Sequence, residues 1–166
     1  AQSSVFWMSS NGFWLYDGAV RALRCDVWDD LAGLTGNLLE EGAICLRAHQ
    51  ANVLKFLQDA YVATIAGHDV PCVNVPYHYA SDAAHELLQC AKDAPFAAAW
   101  FLRGDGMVQW SLRSEDSRED VSKIAAALGG GGHRNASGFQ LVAGSPGASA
   151  MTLPVEGRPA LKAVAS

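Results

Sequence analysis

The sequence predicts an α/β fold, a mixed sheet of about four or five strands with packed helices, preceded by a helical segment. Three observations carry this reading. Strand and helix signals alternate from Cys72 to Val142. Two segments, Ser81 to Lys92 and Ser117 to Leu128, have apolar residues at helical spacing behind a hydroxyl residue suited to capping. Finally, Gly104-Asp105-Gly106 separates two apolar runs in the manner of a hairpin turn. With 166 residues, 50% of them hydrophobic, the chain can bury one core and at most a second partial one.

Taken in order, residues 1–35 are crowded with aromatic rings, among them Phe6, Trp7, Phe13, Trp14, Tyr16 and Trp28. Asn11-Gly12 suits a tight turn there, and so many rings call for a surface to pack against, supplied by a second copy or by a domain outside this chain. From Asn37 to about Ile65, the spacing of Leu39, Ala43, Leu46, Val53, Leu57 and Tyr61 predicts one long helix ending near Gly67. Cys72 to Val75 is then a short buried strand closed by Pro76. Ser81 is the expected cap of the next helix, with Asp82 in its first turn and Ala84, Leu87, Leu88 and Ala91 on its apolar face. Strands follow over Ala97 to Arg103 and Met107 to Arg113. Ser117 and Asp120 form a capping-box pattern ahead of Val121, Ile124, Ala125 and Leu128, and Gly129 stops that helix. A strand from Gly138 to Val142 completes the domain, 36–142, and 143–166 reads as a flexible tail without periodicity.

Composition removes several classes of function. Twelve basic residues against 17 acidic ones give a formal charge of −5, which disfavours a long-range grip on duplex nucleic acid. Cys25, Cys45, Cys72 and Cys90 lack metal-binding or disulfide-framework spacing and read as reduced core thiols, which points to the cytoplasm. No apolar run approaches the ~20 residues of a membrane helix. The chain begins at Ala1, as expected of a piece of a longer protein.

The chemistry-bearing segment runs from Gly129 to Phe139: Gly-Gly-Gly-Gly-His-Arg-Asn-Ala-Ser-Gly-Phe. Four consecutive glycines cost more backbone entropy than a helix stop requires, so something is expected to approach that backbone closely. Successive N–H groups without β-carbons can form an anion-binding concavity, and His133 adds a donor. On the preceding strand the two-residue period puts Gln109, Ser111 and Arg113 on one face, where a guanidinium can grip phosphate oxygens. An α-helix leaving that strand and returning the chain to it would bring Arg113 and His133 to one pocket. A mobile glycine loop and an ordinary solvated sheet face remain the plainer alternatives.

Ser111-Leu112-Arg113-Ser114, a capped helix, and then the Gly129 to Phe139 segment resemble the signature of the carboxy-terminal, DHH-associated domain of DHH-superfamily phosphoesterases, of the oligoribonuclease and cyclic-dinucleotide phosphodiesterase type. The likeness runs from about Val73 through Ala80-Ser81-Asp82 to Phe139. It implies contact with a phosphate or nucleotide by Arg113, Gly131, Gly132 and His133, with Ser111, Ser114, Gly130 and Asn135 as further candidates. It also implies a separate amino-terminal DHH domain holding two divalent metals, usually manganese. In that case residues 1–35 are a remnant of that domain or its linker. No Asp-His-His string occurs here, and His49, His68, His78 and His85 are scattered. The chain alone is therefore expected to bind substrate, a short oligonucleotide or dinucleotide, without hydrolysing it. The alternatives are a relative acting on polyphosphate or another small phosphate compound, and an accessory nucleic-acid-binding or dimerising module of the kind found in alanyl-tRNA synthetases. Five basic residues between Arg103 and Arg134 are balanced by five acids, so a short ligand fits better than a long RNA.

Overall fold

The computed structural model describes residues 31–152. The aromatic segment up to residue 30, with the turn expected at Asn11-Gly12, lies outside them, as do Cys25 and residues 153–166. The chain divides into two compact units, Ala1–Asn52 and Val53–Ser166. Of the first, the described part is helix α1, Leu31–Phe56, which continues a few residues into the second.

Helix α1 ends earlier than the sequence period suggested, and a 3-10 turn, Leu57–Asp59, leads into strand β1, Tyr61–Ile65. The apolar positions Val53 and Leu57 continue the helical spacing, but Tyr61-Val62-Ala63-Thr64-Ile65 is rich in β-branched and aromatic residues that suit a pleated surface. Gly67 therefore does not stop a helix. With Ala66 (φ 50°) and its own φ of 82° it forms a two-residue hairpin loop into β2, His68–Asn74. Helix α2, Ala80–Cys90, follows a 3-10 turn at Tyr77–Tyr79. Its N-cap is Tyr79, without a side-chain cap, and Ser81 lies inside the first turn instead of capping it.

Strands β3, Ala97–Leu102, and β4, Met107–Arg113, form the expected hairpin. Helix α3 is shorter than anticipated, Val121–Ala127. Asp120 is itself the N-cap, its side chain accepting from the Ser122 amide, so the Ser117 capping box is not formed. Gly129 (φ 80°) ends the helix, and the following glycines make a short strand, β5, Gly131–His133, which hairpins into β6, Ala136–Val142. The tail is not featureless: Pro146–Thr152 forms helix α4, and Ala148 is buried.

The sheet has six strands in the order β1-β2-β3-β4-β6-β5. Only β2 and β3 are parallel, joined through α2, and the other pairs are antiparallel. Each face carries its own core. On one, α2 packs Ala80, Ala83, Ala84, Leu87 and Leu88 against Val73, Val75, Ala97 and Ala99. Alanines at facing positions let helix and sheet approach closely. On the other, α3 and α4 cover Trp110, Leu112, Val70 and Phe139, with Trp110 and Phe139 stacked at 5.7 Å. Of the described cysteines only Cys72 is a core residue. Cys45 and Cys90 are exposed, which corrects the reading of all these thiols as buried.

Candidate functional site

Sheet register decides which sequence candidates meet. In β4 the side chains of Val108, Trp110 and Leu112 enter the core, leaving Gln109, Ser111 and Arg113 on the opposite face. Helix α2 covers that face over β2 and β3 and reaches the Arg113 end of β4, while β6 and β5 beyond make no comparable contact with it. Arg113 stands directly opposite Ala136, and Ala136 opposite His133. One row over, Ser111 faces Gly138, which faces Gly131. Directly opposed residues share a face, so Arg113, Ser111, His133 and Gly131 occupy one open surface. A hairpin brings them together, and the longer helix imagined from the sequence is not needed.

The half-buried Arg113 guanidinium is held by neutral oxygens: it donates to the Ser81 hydroxyl at 2.7 Å and to the Leu112 carbonyl at 2.8 Å. Burial pulls its pKa below the ordinary guanidinium value, and the nearby Asp82 carboxylate opposes that shift. The other four cations between Arg103 and Arg134 are each within reach of a carboxylate. Arg103 lies 2.6 Å from Asp105, Arg118 3.3 Å from Glu115, Lys123 3.8 Å and Arg134 3.6 Å from Asp120. Arg113 is thus the best-placed charge to meet an external anion on this surface. Ser81 is the residue the sequence reading missed in this role. Its expected assignment as a cap hid the side chain that orients the arginine.

The glycine run separates into parts. Gly129 needs its positive φ, and its amide and that of Gly130 donate back to Ala126 and Ala125, so neither serves an anion nest. A Cβ on Gly130 would run into the Gly138 carbonyl and the Phe139 backbone, and one on Gly132 (φ 142°) would lie 2.6 Å from the Ala136 carbonyl oxygen. A Cβ on Gly131 would meet nothing within 4 Å, and the same holds at Gly129, where the positive φ is the reason for glycine. Gly129 to Gly131, Gly138, Gln109 and Gln140 border a depression of about 340 Å³.

Two further candidates serve the scaffold. Ser114 is buried and donates to the Glu119 carbonyl at 2.6 Å. Asn135 donates to Asp116 at 2.7 Å and accepts the Ser114 amide on its carbonyl, tying the hairpin to the loop before α3. Its buried Oδ1 has no partner. Among the described residues no three histidine, cysteine or acidic side chains converge in a way that could hold a metal, so no metal-dependent step is assigned to them. Nor is any described helix long and apolar enough to cross a membrane.

No family model matches the chain. It is 31% identical over 122 residues to Esterase B1 of Culex pipiens, a stretch covering 73% of this chain and 20% of that protein. It is 43% identical over 62 residues to an uncharacterized protein of Acanthamoeba polyphaga mimivirus, covering 37% of this chain and 15% of that one. The chain thus spans a fifth or less of these curated relatives. Among solved structures, the pGpG-specific phosphodiesterase PggH of Vibrio cholerae superposes with a TM-score of 0.47 at 12% identity, over 63% of this chain and 37% of that one. An uncharacterized protein from Helicobacter pylori gives 0.37 at 18% identity, over 74% and 29%.

Proposed function

We propose that this domain binds the phosphate end of a short oligonucleotide or dinucleotide on the open sheet face, as the substrate-holding part of a metal-dependent phosphodiesterase. The observation that carries the reading is the cross-strand row Arg113, Ala136, His133, beside the unobstructed Gly131. A guanidinium held by neutral oxygens is oriented for an incoming anion, and a strand without a β-carbon lets a phosphate lie against the backbone. The site is local, which suits a small ligand and an acidic chain. Hydrolysis belongs to a metal-bearing partner domain, of DHH type with manganese, in a cytoplasmic parent protein. Metal ions would there activate water and neutralise the phosphoryl oxygens. A dimer through the aromatic amino-terminal segment is compatible with the same role.

Calorimetric titration of the chain with a 5′-phosphorylated dinucleotide at low salt tests this. Arg113→Ala is expected to weaken binding by about 1.5–3 kcal/mol, the range for a hydrogen bond to a charged group, and Arg113→Lys to restore part of it. Affinity equal to wild type in Arg113→Ala would remove the phosphate from this face.

A further inference from the structure

Toward the turn between β3 and β4 the open face changes from cationic to aromatic and amide. Phe101 stands directly opposite Gln109, and Gln109 directly opposite Gln140, so the three side chains form one cross-strand row on the face that carries Ser111 and Arg113. Tyr77, from the turn before α2, packs on Phe101 with ring centroids 5.5 Å apart and planes tilted by 56°, yet remains 66% exposed. Neither carboxamide makes a side-chain hydrogen bond among the described residues. Both border the depression that Gly129 to Gly131, Gly138 and Phe139 also line, open at Gly131, where a β-carbon would meet nothing.

We infer that Tyr77, Phe101, Gln109 and Gln140 form a nucleobase subsite that takes the purine of the nucleotide whose phosphate meets Arg113. This rests on the phosphate reading above. The chemistry favours a heteroaromatic ring over an aliphatic or peptide partner. An exposed tyrosine face stacks on any base, and each carboxamide sets a donor beside an acceptor, the complement of the adenine N6 and N7 edge. The spacing agrees: Gln109 and Arg113 are four residues apart on one strand, ~13 Å, a span that a folded arginine side chain and one nucleotide fill together.

The test compares adenosine 5′-monophosphate, ribose 5-phosphate and adenosine, titrated into the whole chain by calorimetry and by NMR. Wild type is expected to bind the mononucleotide about 5- to 150-fold more tightly than ribose 5-phosphate, the contribution of one stacked base. Tyr77→Leu removes most of that ratio and Tyr77→Trp keeps it. Gln109→Ala and Gln140→Ala each lower mononucleotide affinity by about 2- to 13-fold. None of the four changes the affinity for ribose 5-phosphate, whereas Arg113→Ala weakens both phosphates alike. The exposure of Tyr77 and Gln140 keeps their variants folded. Equal wild-type affinity for mononucleotide and ribose 5-phosphate, or an unchanged ratio in Tyr77→Leu, overturns the subsite and leaves the phosphate site standing. Adenosine binding that depends on Tyr77, with no binding of ribose 5-phosphate, keeps the subsite and overturns the phosphate site. Failure of all three ligands overturns both.

Discussion

Gly130→Ala and Gly131→Val change neighbouring residues, yet they are expected to fail in different assays. The Gly130 methyl would meet the Gly138 carbonyl and Phe139, so overpacking should cost about 1–3 kcal/mol in urea denaturation. The Gly131 methyl meets nothing within 4 Å, so Gly131→Ala should leave the midpoint close to wild type. Gly131→Val adds the bulk that keeps a phosphate from the backbone and should weaken ligand binding without unfolding the domain. A Gly131 variant that unfolds while binding normally at low temperature would assign that glycine to the scaffold. The sequence made the run conspicuous but not divisible. The reasons for Gly130 and Gly132 lie in β6, across a hairpin that single-residue preferences do not reveal, and Gly131 is left without an internal reason.

At the scale of elements, the hairpins and caps explain which readings succeeded. The β3–β4 hairpin was legible because Gly104-Asp105-Gly106 interrupts two strands of alternating burial, and α2 because its apolar stripe is local. The β1 strand was not, because Val53, Leu57 and Tyr61 happen to continue a helical period while the partner that makes Tyr61–Ile65 a strand is β2. The β1–β2 turn carries a non-glycine residue at positive φ, Ala66 at 50°. Ala66→Asn is therefore expected to stabilise the domain by about 0.5–1 kcal/mol, since asparagine tolerates the left-handed region better. A fall in thermal midpoint would contradict that turn. Helix α3 depends on Asp120, whose carboxyl is held below the usual carboxylate range chiefly by the Ser122 hydroxyl, which desolvation opposes and the Ser122 amide, Lys123 and Arg134 reinforce to a lesser degree. A depressed folded-state pKa stabilises fully above the unfolded value of ~4 and is lost as pH falls through the lower folded value. The stability gap between wild type and Asp120→Ala should accordingly be open at neutral pH and close in that acid range. A gap that persists at the lowest pH would show that the cap acts without its charge.

For the molecule as a whole, the two cores on opposite faces of one sheet leave Gln109, Ser111 and Arg113 of β4 on its polar side, and the proposed site rests on that asymmetry. The buried thiol of Cys72, pushed up to about 12 mainly by desolvation, should resist alkylation at pH 8 until the domain opens, while exposed Cys90 reacts in the native state. Equal native rates would mean that the sheet is not closed over Cys72. Charge supports the same picture, because a net −5 chain with its other central cations paired can attract an anion only locally. The alternation of strands and helices was visible along the sequence. The open face was not, since it depends on α2 reaching no further than β4 and on β6 inserting between β4 and β5. The central claim is that this face, and no other, receives a phosphorylated ligand. The most direct measurement is an amide-resolved NMR titration of the chain with a 5′-phosphorylated dinucleotide. The account predicts shifts concentrated at Ser111, Arg113, Gly131 to His133 and Ala136, which disappear in Arg113→Ala. Shifts confined to α1 or α4, with the Gly131 to His133 amides unmoved, would contradict it.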